Sequence, residues 1–173
     1  PARFQLVAAM NPCPCGWFGD PEGRCICTPQ QAARYRGRIS GPLLDRIDLH
    51  VEVTPVAFNE LSSTRQYEKS EVIRERVIRA RTIQEERYKD SPGVYANAQM
   101  SSKQLKEICS ISTVGQNLLK AAMEKLNLSA RAYDRILKVS RTIADLAGTA
   151  EIRPEHLAEA IQYRSLDREG WGG

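Results

Sequence analysis

Four cysteines crowded into one short stretch constrain this chain more than any other feature. Cys13 and Cys15 form one C-x-C pair, Cys25 and Cys27 a second, and nine residues separate the pairs. A fifth, Cys109, stands alone. An odd total with four clustered thiols reads as an intracellular metal site rather than a disulfide framework. Zinc takes four soft ligands in a tetrahedron, with thiolate sulfur at about 2.3 Å. Two cysteines one residue apart reach a single ion only where the backbone turns tightly. Pro12, Pro14 and Gly16 supply such turns around the first pair, and Gly19, Asp20-Pro21 and Gly23 let the loop double back. The expectation is structural Zn2+ on Cys13, Cys15, Cys25 and Cys27, with no position left open for water. The bland reading is four reduced thiols without a ligand, and the pairs depart from the commoner C-x-x-C spacing. Trp17 and Phe18 sit inside the loop, either as packing for the module or as a platform for stacked bases.

Around the loop, two short apolar runs read as strands. Phe4 to Met10 is almost unbroken in apolar residues before Asn11-Pro12, the pattern of a strand buried on both faces. Leu49 to Val53, stopped by Pro55, is the second. Two such strands cannot cover each other on both faces, so the rest of a sheet is expected upstream and the chain is expected to be a C-terminal piece. A small two-stranded element packed on helices is the alternative.

Beyond residue 68 the texture is helical. Ser70 is a candidate N-cap for a helix with Ile73, Val77, Ala80 and Ile83 on its inner face, ended by Asp90-Ser91-Pro92-Gly93. Its other face alternates charge, as a solvated face does. A shorter helix follows Ser101, with Gln104 completing a capping box and Leu105, Ile108 and Cys109 inward. The next runs from about Thr113 to Leu126 with Val114, Leu118 and Leu126 inward. Ser129 caps a helix that turns Tyr133, Ile136, Leu137, Ser140 and Ile143 inward and ends at Gly148. Pro154 opens the last helix, with Leu157, Ala160 and Ile161 packing. The expected architecture is mainly α. An α/β fragment with two strands covers 1–58 and carries the zinc-type four-cysteine loop at 13–27; a linker follows over 59–68, and an all-α bundle over 69–168.

The formal charge of +4, from 25 basic and 21 acidic side chains, permits nucleic acid as a partner without arguing for it. No apolar run approaches the ~20 residues of a membrane span, so the expectation is a cytoplasmic protein with no membrane association. Arg34, Arg36 and Arg38 beside Tyr35 make a local basic cluster, suited equally to phosphates or to a subunit interface. His50 and His156 have no partnering motif and read as structural or solvated; Cys109 reads as a small core residue.

Three further positions acquire meaning together: Asn11 at the end of the apolar run, Arg46 in Gly-Pro-Leu-Leu-Asp-Arg-Ile-Asp, and Arg131 in Ser-Ala-Arg-Ala-Tyr. On their own, Asn11 reads first as a turn residue, Arg46 as a surface charge paired with Asp45, Asp48 or another acidic neighbour, and Arg131 as a cation mildly misplaced in a helix's first turn. In this order they resemble the second half of an AAA+ ATPase of the magnesium-chelatase/MCM branch. The Asn-Pro-Cys-Pro-Cys-Gly run narrows the likeness to the ComM/YifB competence-protein family, and the resemblance extends from Phe4 to about Arg164.

The resemblance implies that Asn11 is sensor 1, orienting the water that attacks the γ-phosphate. It implies that Arg46 is the arginine finger, serving a nucleotide held by the neighbouring subunit, and that Arg131 is sensor 2 on a helical lid. It also implies ATP and Mg2+ as ligands of the intact protein, self-assembly into a hexameric ring, and DNA as a partner, with branch migration during natural transformation as the activity. Neither Gly-x-x-x-x-Gly-Lys-Ser/Thr nor an apolar strand ending in Asp-Glu occurs in this sequence, so the chain alone is expected to be inactive as an ATPase. A magnesium-chelatase motor subunit and a free-standing zinc-stabilised binding module are the competing expectations.

Overall fold

The computed structural model describes residues 4–53 and 67–164. Most of the expected linker, 59–66, and the end of the expected bundle, 165–168, lie outside the described residues. The chain is mainly helical. Two short helices follow the cysteine loop, α1 (Pro29–Arg36) and α2 (Gly41–Leu44). Five more build a bundle: α3 (Ser70–Tyr88), α4 (Ser102–Ile108), α5 (Thr113–Lys125), α6 (Ala130–Leu146) and α7 (Pro154–Gln162), with a 3-10 turn at Asn97–Gln99.

The helix ends follow their local chemistry. Thr28 and Gln31 close a capping box on α1, and Ser101 with Gln104 does the same on α4. The Ser129 hydroxyl accepts from the Ala132 amide at 3.1 Å to start α6. At its other end Gly148 adopts φ 68°, and Thr149 N–H bonds back to the Ala144 carbonyl at 2.9 Å, a Schellman stop. His156 Nδ1 accepts from the Arg153 amide at 3.1 Å, so this histidine caps α7. The start of α3 differs from expectation: Lys69 is the N-cap residue and makes no side-chain bond, while Ser70 is already helical.

The two expected strands do not form. Among the described residues the β structure is one isolated parallel bridge between Ile111 and Ile152. Phe4, Leu6 and Val7 are exposed, as are Leu49, Val51 and Val53. An apolar run becomes a strand only when neighbouring backbone takes up its N–H and C=O groups. Here the His50 amide goes to the Tyr163 carbonyl at 2.8 Å instead of into a ladder.

Among the described residues, the buried apolar cluster lies in the bundle. Tyr88, Met100, Leu105, Cys109, Leu119, Ile136, Leu137, Ala144, Ile152, Leu157 and Ala160 form one buried cluster. Each large aliphatic side chain so buried stabilises by about 1.5–3 kcal/mol. α6 packs on α7 and α3, and α5 packs on α7. Gly115 permits the last contact, since a Cβ there would meet Leu157 Cδ1 at 2.8 Å. The helix faces depart from the sequence reading in three places. On α3 only Ala80 of the expected face is buried, with Gln84 and Tyr88 beside it, while Ile73, Val77 and Ile83 are exposed. On α5 the buried residues are Gly115 and Leu119, and Val114 is exposed. Tyr133 on α6 is also largely exposed.

A polar node sits within this bundle. The Asp145 carboxylate, fully buried, receives Arg87 Nη1 at 2.7 Å and Nη2 at 2.5 Å, Arg141 Nε at 3.1 Å and Asn97 Nδ2 at 2.8 Å. Asn97 Oδ1 accepts from Tyr88 Oη at 2.8 Å, and Arg141 ties the node to the Thr149 and Ala150 carbonyls, both at 2.7 Å. Removing Asp145 takes from Arg87, Arg141 and Asn97 the acceptor they share. Asp145→Ala is therefore expected to lower bundle stability by about 3–5 kcal/mol, read as a drop in the urea midpoint; a change within about 1 kcal/mol, the worth of an ordinary exposed pair, would contradict this account.

Candidate metal centre and arginine groove

The cysteine loop brings its four sulfurs together. Cys13 Sγ lies 3.3 Å from Cys15 Sγ and 3.9 Å from Cys25 Sγ, and Cys15 Sγ lies 3.6 Å from Cys25 Sγ. With Cys27 included, all four fall within 4.8 Å of one another. Disulfide sulfurs are about 2.05 Å apart, and these cysteines are free. A tetrahedron with metal–sulfur bonds of about 2.3 Å has sulfur–sulfur edges of roughly 3.8 Å. The donor set thus matches a closed four-thiolate metal site in both chemistry and spacing.

Backbone geometry shapes the cluster. The Gly16 amide closes a turn onto the Cys13 carbonyl at 3.0 Å, and Gly16, Gly19 and Gly23 all adopt positive φ. A hydrogen bond from the Trp17 amide, with others from Cys13, Ile26 and Cys27, brings the Cys15 thiol down to about 6. Cys27 has a lowering backbone bond at Cys15, yet burial and the neighbouring thiols push it up to about 11. A cluster holding at least one ready thiolate is suited to capture a cation.

The aromatic residues of the loop are packed by arginines. The Arg24 guanidinium lies 3.8 Å from the Trp17 ring centre and is itself held by Asp20 at 2.7 Å. That same guanidinium holds the Asp20 carboxyl below the usual carboxylate range. Arg36 is buried and lies 4.4 Å from the Phe18 ring centre. Of the basic cluster, then, Arg36 is turned into the module, while Arg34 and Arg38 face solvent, Arg38 near the Tyr35 ring at 5.7 Å.

Asn11 precedes this module and lies against it: a Cβ at Gly16 would meet Asn11 Nδ2 at 3.7 Å. Arg46 is exposed just after α2 and donates to the Pro42 carbonyl at 2.7 Å. Arg131 occupies the second position of α6, exposed, at a groove of about 530 Å³ whose wall includes Asp48, Leu49, Arg135, Ile143 and Tyr163. Among the described residues neither Arg46 nor Arg131 is ion-paired with a carboxylate. Of the neighbouring acids, Asp45 accepts from Ser129 Oγ at 2.7 Å, and Asp48 pairs with Arg135. Burial, together with the nearby Arg164 and Arg46 charges, pushes Arg135 below its ordinary value despite the opposing charge of Asp45. The structure thus brings Arg46 and Arg131 to one region and leaves Asn11 with the cysteine module. His50 is buried with Nε2 3.2 Å from the Leu44 carbonyl, and Cys109 is a core residue whose thiol burial pushes up to about 11.

Sequence comparison places these features in context. Residues 67–164 match the family described as magnesium chelatase, subunit ChlI C-terminal, and residues 1–61 match magnesium chelatase, subunit ChlI. The chain belongs to the magnesium chelatase ChlI family. It is 47% identical over 169 residues to the competence protein ComM of Haemophilus influenzae, covering 97% of this chain and 32% of that protein. It is 41% identical over 169 residues to the uncharacterized protein YifB of Escherichia coli, with the same coverage of 97% and 32%. Against Rv2897c of Mycobacterium tuberculosis it is 38% identical over 164 residues, 95% of this chain and 32% of that protein. The chain therefore spans about a third of the length of these relatives. No helix among the described residues is long and apolar enough to cross a membrane.

Cys13→Ser, at the most buried of the four thiols, is expected to abolish the bound-metal stoichiometry of purified protein measured by elemental analysis. Because the bundle core contains none of the loop's residues, the thermal midpoint of the bundle is expected to stay within about 2–4 °C of the parent, the shift that 1 kcal/mol gives in a chain of this size.

Proposed function

We propose that this chain is the sensor 1, arginine-finger and lid portion of a ring-forming AAA+ ATPase of the magnesium-chelatase type. The observation that carries this reading is the pair of exposed guanidiniums, Arg46 and Arg131, lying at the junction of the α2 segment and α6 with no ion pair among the described residues, while Asp45 and Asp48 are bonded to other groups. An arginine committed to an ion pair has no charge to spare for phosphate. These two do. Arginine's planar fork suits phosphoryl oxygens, and a finger stabilises the spread charge of the transition state.

In this reading ATP and Mg2+ belong to the intact protein. Asn11 orients the attacking water, Arg131 contacts phosphate from the lid, and Arg46 serves the nucleotide of a neighbouring subunit in a hexameric ring. The ion held by Cys13, Cys15, Cys25 and Cys27 is zinc in a structural role, because the four thiolates fill its coordination and leave no site for water. It fixes the turn against which Asn11 rests. The name of the Haemophilus relative, a competence protein, supports DNA as the substrate, with branch migration during natural transformation as the work performed. Arg34 and Arg38 are the residues of the basic cluster placed to meet phosphates. The cytoplasm is the matching compartment for reduced, metal-binding thiols.

The test uses the intact protein. Arg46→Ala is expected to leave nucleotide binding near the parent value while hydrolysis falls by about 10³-fold or more. Mixing Arg46→Ala subunits with subunits disabled in nucleotide binding is expected to restore part of the activity, since each supplies what the other lacks. Hydrolysis at the parent rate in Arg46→Ala overturns the finger assignment, and no recovery in mixed rings overturns its action across subunits. For the metal, purified protein is expected to contain about one zinc per chain; a fully folded, metal-free protein with four titratable thiols in the loop refutes that assignment.

A further inference from the structure

The segment carrying Arg46 is fastened to the helical bundle on both sides of that arginine. Before it, Asp45 Oδ1 accepts from Ser129 Oγ at 2.7 Å and lies 3.8 Å from Arg164 Nη2. After it, the Ile47 carbonyl accepts from Arg164 Nη1, Asp48 pairs with Arg135, and the His50 amide donates to the Tyr163 carbonyl at 2.8 Å. Arg164 is only 1% exposed. A guanidinium so fully withdrawn from water is tolerated only where several acceptors meet it, and two of those acceptors flank Arg46. On the bundle side, the Ser129 hydroxyl that donates to Asp45 also caps α6, the helix on which Arg131 is the second residue. One hydroxyl therefore joins the residue preceding Arg46 to the start of the helix bearing Arg131.

We propose that Asp45 and Arg164 are positioning residues for Arg46, holding its loop to the first turn of α6 so that Arg46 and Arg131 move as one body. The proposal rests on the reading of Arg46 as an arginine finger. Arg164 grips the loop by its backbone at Ile47 and by its charge at Asp45, and Ser129 locks Asp45 to the helix. A ligand that engages Arg131 acts on the same helix end to which the Arg46 loop is bonded, so the two sites are joined directly through Ser129 and Asp45. Lysine cannot substitute for Arg164, because a single ammonium lacks the fork that addresses the carbonyl and the carboxylate together.

The experiment measures steady-state ATP hydrolysis by the intact protein, with tryptic cleavage after Arg46 as an independent readout of loop attachment. Asp45→Ala and Arg164→Lys are each expected to lower kcat by about 10²-fold, the scale of a misplaced catalytic group, with little change in KM for ATP. Asp45→Asn keeps an acceptor for Ser129 and is expected to recover much of that loss. In an Arg46→Ala background, Asp45→Ala is expected to have no further effect on kcat, because the group it positions is gone. Cleavage after Arg46 is expected to be faster in both Asp45→Ala and Arg164→Lys than in the parent. If the Asp45→Ala and Arg46→Ala losses multiply as independent sites do, or if Asp45→Ala retains the parent kcat while Arg46→Ala is inactive, positioning is overturned and the finger survives. If Arg46→Ala itself hydrolyses at the parent rate, finger and positioning fall together. In that case faster cleavage in Asp45→Ala still reports the attachment.

Discussion

The bundle depends on one buried carboxylate. Asp145 sits at the end of α6 with two arginines and an asparagine converging on it, from α3, from its own helix and from the 3-10 turn at Asn97–Gln99. Burying a carboxylate is costly, and the cost is offset only if its lone pairs are filled. That condition dictates geometry: α3 must end where Arg87 can reach, the turn must present Asn97, and the loop after α6 must offer the Thr149 and Ala150 carbonyls to Arg141. Apolar packing alone would tolerate helices sliding by a fraction of a turn. The node does not, because any slip breaks several charge-assisted bonds together.

With one end of α6 fixed in this way, the other end becomes a defined platform. Ala132, Ile136, Leu137, Ser140 and Ala144 face the core, while Arg131, Asp134, Arg135, Lys138 and Thr142 line the groove. The helix thus carries structural polarity along its length and chemical polarity across its width. Lys138 is anchored to the Ala98 and Met100 carbonyls at 3.1 and 2.8 Å, which ties the groove wall back to the same turn that presents Asn97. The groove, the node and the α2 attachment are therefore three uses of one rigid helix.

What could be read from the sequence was whatever is decided locally. The caps at Ser101 and Ser129, the stop at Gly148 and the proline at the head of α7 depend on residues within a few positions, and each forms as expected. The cysteine cluster was legible for the same reason, its ligands lying within one turn-rich loop. The strands failed because an apolar run specifies burial without specifying who buries it: Phe4 to Met10 and Leu49 to Val53 have no sheet among the described residues. The inner face of α3 was misplaced because its apolar and polar positions do not separate cleanly. The helix is held by Gln84, Arg87 and Tyr88, two of them polar, through partners up to 58 positions away. Asp45, Ser129 and Arg164 were invisible as a group for the same reason, with Ser129 bonded to Asp45 across 84 positions and Arg164 to Ile47 across 117.

The placement of Asn11 sharpens the contrast between the two parts of the proposed site. Arg46 and Arg131 are positioned by the bundle, through Asp45, Ser129 and ultimately the helix that Asp145 anchors. Asn11 is positioned by the cysteine loop, against Gly16 and two residues before Cys13. A tight turn with positive φ at Gly16 and no aliphatic core beneath it has little apolar burial to hold it. In the proposed reading, four thiolates drawn to one ion supply that rigidity from coordination, which needs few residues and no sheet. The cysteines belong next to Asn11 for a physical reason: among the described residues, that is where hydrophobic packing does least.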